Sequence, residues 1–289
     1  MTTTPGGTAA QHDVLLARLD NLEPGRPHRR LVMMGGLGYA FDSFDGALMG
    51  YALSALIVIW AIPASVSGWL LSSIFFGYLV GALIAGVLAD RFGRRRLLMT
   101  SLLIFCGCSL LMGTASSVPE LFVWRALAGV GIGAETALIA PYISEFLPAR
   151  VRGKFVTRTV GFLAFGYILA GVAAPIIISP NPEIGWRIAA VVAALPVLLL
   201  LWWRRSLPES PRYLLAKGRV DEATAVIEDI ERRSGVDPLM PASLAVEPAP
   251  PVGGDVLEAP RSVARRSALS QLLALWKGPL ARTTAVIWL

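Results

Sequence analysis

Gly86-Val-Leu-Ala-Asp-Arg-Phe-Gly-Arg-Arg-Arg96 ends one long apolar segment and begins another through a tight, densely basic turn. Just before it, Gly77, Gly81, Ala85 and Ala89 recur every fourth residue, so small side chains form a stripe on one helical face. Another membrane helix can approach closely along such a stripe. Asp90 falls at the C-terminal end of that helix, where the macrodipole is negative and a carboxylate needs a nearby cation or another helix's N-terminus. Arg91 and Arg94 to Arg96 are the nearest cations. The stretch reads as a hinge on the cytoplasmic side of a membrane.

Composition agrees with a bilayer setting. The 289 residues are 55% apolar and 16% charged, against about 25% charged in ordinary soluble domains, and the mean hydropathy is +0.61. A net charge of +6 would suit a nucleic-acid binder, but the basic residues sit in short clusters between apolar runs, a topological pattern that excludes that class. Cys106 and Cys108 lie two residues apart inside an apolar run and point to different sides of a helix, so they read as packing residues, and neither histidine has a ligand partner in the sequence.

Apolar runs at about 31–59, 66–89, 97–115, 121–143, 155–179 and 186–203 each approach the ~20 residues that cross hydrocarbon, which predicts six spans. The first is too long for a signal-peptide core. One side collects Arg26, Arg29, Arg30, Arg91, Arg94 to Arg96, Arg150, Arg152, Lys154, Arg204 and Arg205, while the other has Arg187, so both ends of the block are expected in the cytoplasm. Residues 1–30 read as a polar tail in which His12 to Leu22 forms a short amphipathic helix on the membrane surface. Residues 31–203 form the transmembrane domain, 204–279 a cytoplasmic linker with amphipathic helices, and 280–289 the start of a seventh span inside which the sequence stops. Within the linker, Val220, Ala223, Val226, Ile227 and Ile230 give one apolar helical face, and 236–260 is rich in Pro, Ala and Val.

Span 4 carries Trp124-Arg125-Ala-Leu-Ala-Gly129-Val-Gly131-Ile-Gly133-Ala-Glu135 and runs on into Pro141-Tyr142-Ile-Ser-Glu145-Phe-Leu-Pro148-Ala-Arg150-Val-Arg152-Gly153; Pro208-Glu209-Ser210-Pro211-Arg212 follows span 6. The turn at Gly86, Asp90, Arg91, Gly93, Arg94 and Arg95 resembles the signature loop between helices 2 and 3 of the major facilitator superfamily. The span 4 segment resembles sugar porters and the related metabolite:proton symporters, including nicotinate-type carriers. The resemblance implies an all-helical membrane protein of six spans, two inverted three-helix repeats equivalent to the N-terminal half of a twelve-helix fold. It also implies a conformational gate built from the loop residues, Glu145, Arg150, Arg152, Gly153, Glu209 and Arg212.

Asp42 and Asp45 stand three residues apart within span 1, where either carboxylate in lipid costs about 2.5 kcal/mol or more, so both should face a cavity or a partner. At 1.5 Å per residue Asp45 lies about 21 Å above Leu31, and Arg125 about 8 Å below the outer end of span 4, in a core about 30 Å thick. The levels nearly coincide, so Asp45 is expected to pair with Arg125, either as a coupling site or as a structural ion pair. Glu135 lies nearer the inner surface and belongs elsewhere. No nucleophile with a base, no metal-ligand cluster and no phosphate loop is present, since Gly129, Gly131 and Gly133 lie in an apolar span and follow no strand. An enzyme, a metal and a cofactor are therefore not expected. The resemblance implies alternating-access transport of a small polar or anionic metabolite, an organic acid or a sugar-like molecule, with protons as the coupling ion and a further six-helix half as partner. The alternatives are an uncoupled sugar-type facilitator and a non-transporting half or sensor subunit.

Overall fold

The computed structural model describes residues 5–235; the expected linker at 236–260 and the incipient seventh span lie outside the described residues. These residues form helices α1 (Pro5–Asn21), α2 (Arg26–Ile59), α3 (Ala64–Phe92), α4 (Arg94–Met112), α5 (Val118–Ser144), α6 (Ala149–Val160), α7 (Phe162–Ile177), α8 (Pro182–Ala193), α9 (Val197–Ser206), α10 (Pro211–Ala216) and α11 (Val220–Ser234), with no strand among the described residues. Helix starts follow local chemistry. Pro27 and Pro119 sit in the first turns of α2 and α5, where a missing N–H is harmless. The ring Nδ1 of buried His28 accepts the Gly25 N–H at 3.1 Å, closing the entry to α2. Gly93 separates α3 from α4 with φ of 98°, a conformation that any side chain would strain, which explains the glycine in the middle of the basic turn.

Among the described residues, five runs are long and apolar enough to cross a membrane: α2, α3, α4, α5 and the run Ala149–Ile177 that joins α6 to α7. The expected sixth span is two shorter helices, α8 and α9. Between them the Ala194 and Leu195 N–H groups reach back three residues, to Val191 and Val192, each at 3.1 Å, and Pro196 has no N–H with which to continue an α-helical ladder.

Within each triplet, helices adjacent in sequence touch little; the spans pack across the two triplets. α5, which opens the second triplet, lies along α3 and α4, and α2, which opens the first, lies along α7 and α8. Each triplet thus lends its first helix to the other, the arrangement expected of two interlocked repeats. The glycine stripes explain the closest crossing. A Cβ at Gly77 or Gly81 would collide with the carbonyl oxygens of Ala126 or Val130, and one at Gly129 or Gly133 with those of Ile74 or Tyr78, so the small faces of α3 and α5 rest on each other's backbone. Gly166 of α7 meets the Ala40 carbonyl of α2 in the matching crossing. The outward faces of α3 and α7 expose Trp69, Phe76, Leu83, Phe165, Ile168 and Leu169, the surface that hydrocarbon would cover.

At the basic end, α1, α10 and α11 form a helical cap around Leu15, Tyr213, Leu214, Leu215, Ala223 and Ile227. Here the sequence expectation is corrected: the segment from His12 belongs to a longer helix whose Leu15 and Leu19, with Leu22 just after it, are buried in protein and are not turned to a membrane surface. Two forces hold it there. The apolar face of α1 finds a partner in α10 and α11, and Arg18 grips the Glu231 carboxylate with Nε at 3.0 Å and Nη2 at 2.5 Å.

Candidate functional site

A cavity of about 510 Å³ opens between α2, α3, α5 and α7, within the range of small-molecule sites. Asp42, Ser43 and Gly46 line it from α2, Phe75 and Tyr78 from α3, Arg125 and Thr136 from α5, and Leu163 and Tyr167 from α7. A Cβ at Gly46 or Gly50 would meet nothing within 4 Å, so these glycines widen the cavity and are not needed for helix contact. On α5, Arg125, Ile132 and Thr136 fall at i, i+7 and i+11, which brings them to one face. Thr136 and Tyr78 were not singled out in the sequence; the helical spacing from Arg125 was the signal that would have found Thr136. Tyr78 carried no comparable mark.

The acidic pair of span 1 divides its tasks. Asp42 lines the cavity and accepts the Thr136 hydroxyl at 2.8 Å, while the Tyr39 hydroxyl donates to the Thr136 carbonyl at 3.1 Å. Asp45, three residues on, is 2% exposed and lies behind the wall, its Oδ1 without a hydrogen bond. Arg125 is 3% exposed, and its Nε is also unpartnered. The expected Asp45–Arg125 pair does not close: no Arg125 nitrogen lies within 4.0 Å of Asp45 among the ion pairs of the described residues, although the two groups interact electrostatically. On α2, Ser43, Gly46 and Gly50 stand about 40–100° from Asp42 to one side and line the cavity with it, whereas Asp45 stands about 60° to the other side, off the cavity-lining arc.

A second constellation surrounds the basic turn. Arg94 bridges two carboxylates, with Nη1 2.9 Å from Asp90 and Nε 2.8 Å from Glu145. Glu209 reaches over from the segment before α10 and accepts the Arg95 and Ser210 backbone N–H groups, both at 3.1 Å, so a carboxylate from a distant segment caps the N-terminus of α4. The Tyr213 hydroxyl donates to the Arg91 carbonyl at 3.3 Å, and the Tyr142 hydroxyl to the Pro208 carbonyl at 2.6 Å. Arg150 donates to the Leu22 carbonyl at 3.3 Å, and Arg152 and Arg212 stand 3.5 and 3.7 Å from Asp20 of α1. Gly86 and Gly153 face open space, where a Cβ would meet nothing within 4 Å. At the opposite end Arg187 donates to the Gly113 carbonyl at 2.6 Å, placing its charge at the C-terminus of α4.

Apolar spans in two interlocked triplets around a cavity with buried charges define a multi-pass membrane protein with the fold of major facilitator transporters. The xylose transporter XylE from Escherichia coli, in a partially occluded inward-open conformation, shares that fold at a TM-score of 0.65 and 24% identity, over 72% of this chain and 56% of XylE. Residues 32–244 match the family described as sugar (and other) transporter, and the chain belongs to that family. It is 32% identical over 275 residues to the niacin transporter NiaP of Acinetobacter baylyi, covering 95% of this chain and 58% of that protein. To the 4-hydroxybenzoate transporter PcaK of Pseudomonas putida it is 31% identical over 264 residues, covering 90% of this chain and 54% of that one. The chain therefore spans a little over half the length of these relatives, and they are transporters, not enzymes.

Proposed function

We propose that this chain forms the cavity-bearing half of a proton-coupled secondary transporter for a small organic anion, working by alternating access with a further six-helix half. The carrying observation is the cavity wall itself: a guanidinium, Arg125, and a carboxyl, Asp42, face the same space, and a second carboxyl, Asp45, is buried behind them. An arginine in a largely apolar cavity suits a carboxylate, which it can hold through two parallel hydrogen bonds. Relatives named for niacin and 4-hydroxybenzoate support this choice, since both compounds are small aromatic carboxylates. The test is uptake by vesicles containing the complete transporter, with nicotinate, 4-hydroxybenzoate and xylose offered separately under an inward proton gradient. Carboxylate accumulation that collapses on adding a protonophore is the expected result. Equilibration without accumulation would identify an uncoupled facilitator, and failure of counterflow for every compound a non-transporting subunit.

The same reading places the protein in the cell membrane with the arginine turn and the helical cap in the cytoplasm, on the strength of the basic-residue asymmetry. Arg96 is exposed on that turn. A cysteine at Arg96, in a chain whose Cys106 and Cys108 are replaced by alanine, is expected to resist an impermeant thiol reagent in intact cells and to react once the membrane is opened. Labelling from outside would reverse the topology.

A further inference from the structure

Glu135 is fully buried, and among the described residues it alone has both carboxyl oxygens buried without a hydrogen-bond partner. It occupies a niche left by a missing side chain: a Cβ on Gly38 of α2 would stand 2.8 Å from Glu135 Oε1 and 3.2 Å from the Trp203 ring. No Lys, Arg or His nitrogen of the described residues lies within 4.0 Å to answer a negative charge there. The titratable groups that face it are Asp42 and Tyr39 from α2 and Cys106 from α4, none of them a cation. The indole Nε1 of buried Trp203, on α9, is likewise unpartnered. A carboxylate ion without a donor or counter-charge is costly in such surroundings, so the resting group carries a proton. Glu135 also stands beside the cavity chemistry. Thr136, the next residue, donates to Asp42, which lies one helical turn above Gly38 and opens onto the cavity.

We propose that Glu135 is a second proton-binding site, held as a carboxylic acid behind the cavity wall and exchanging its proton with the cavity through Asp42. When the proton moves, the O–H bond on Glu135 breaks, its electron pair stays on the Glu135 carboxylate, and an O–H bond forms on Asp42. Two neighbouring carboxyls without a cation between them do not ionise together, so one proton is shared by the pair. The site is separate from Asp45, which interacts with Arg125. Its use in coupling rests on the transport reading above, but its protonation does not.

Infrared spectroscopy of the purified chain in detergent at neutral pH separates the two. In a chain labelled with carboxyl-¹³C glutamate, a protonated-carboxyl C=O band is expected to move to lower frequency, whereas aspartic acid bands stay in place. If no such band moves, every glutamate is ionised and the proposal falls. Glu135→Gln is expected to remove the labelled band, and should that chain fail to fold, Glu135→Asp is expected to convert it into an unlabelled one; persistence of the labelled band in a folded variant would also overturn the assignment. Asp42→Asn is expected to shift the band, and an unshifted band would exclude exchange through Asp42. A band that behaves as expected in a complete transporter that moves no protons would retire the coupling reading and leave the proton site standing.

Discussion

Asp45→Asn in the complete transporter is expected to abolish accumulation against a gradient while exchange of substrate across the membrane continues. An inward gradient of one pH unit is worth about 1.4 kcal/mol per proton, enough for about tenfold accumulation when one proton accompanies each substrate molecule and no membrane potential is present. With asparagine at this position the ratio should fall to unity. The side chain keeps its size, so the packing around a residue 2% exposed is retained, but it can no longer take up and release a proton. In the proposed mechanism Arg125 would set the timing. The two charges interact without a closed ion pair, so a conformational change that brings them together or parts them alters which protonation state is favoured. The measurement is the ratio of internal to external labelled substrate at steady state, beside the rate of counterflow in the same vesicles. If accumulation survives, Asp45 is a packing residue and Asp42, already in the cavity wall, becomes the coupling candidate.

The crossing of α3 and α5 carries the other large effect. Gly81→Val and Gly129→Val are each expected to destabilise the fold by about 3 kcal/mol or more. That is the upper end of the ~1–3 kcal/mol range for overpacking, because the added atoms meet carbonyl oxygens and not the flexible ends of side chains. The two helices would have to move apart along their whole contact, and the matching glycine on the facing helix offers no slack. Gly86→Ala and Gly107→Ala are the controls. Neither added methyl meets an atom within 4 Å, and alanine in a helix gains up to ~1 kcal/mol over glycine, so the folded chain should be unharmed or slightly firmer. Thermal unfolding of the four variants in one detergent tests this directly. A Gly81→Val chain that melts with the controls would show that α3 and α5 stand further apart than described.

Much of this molecule follows from local pattern. Span positions are legible because about 20 consecutive apolar residues have few other uses, and the basic turn because arginines between two such runs have nowhere to sit but at a surface. The small-residue stripes are equally plain at a period of four. A stripe, however, says only that something approaches closely, not what. That the stripes of α3 and α5 meet each other, and that α2 lies against α7 and α8, was decided by packing across the two triplets.

The charged residues show the same boundary. Their presence in apolar spans marked Asp42, Asp45 and Arg125 as candidates for function, since an ionisable side chain in hydrocarbon is costly to keep without a use. Depth along the helix suggested pairing Asp45 with Arg125, but depth is one coordinate, and the rotation of α2 against α5 left that pair open while bringing Asp42 into the cavity with Thr136. The tertiary structure likewise decided that Glu209 caps α4, that α1 buries Leu15 in the cap and Leu19 in the core of the spans, and that the niche beside Gly38 is occupied by Glu135. Sequence alone determined the membrane-embedded helical class, the positions of five apolar runs and the identity of the costly charges, because these depend on hydrophobicity summed over neighbours in the chain. Which charges share a cavity depends on how helices far apart in sequence are rotated against one another. Side-chain shape at each crossing sets that rotation, and it leaves no local trace.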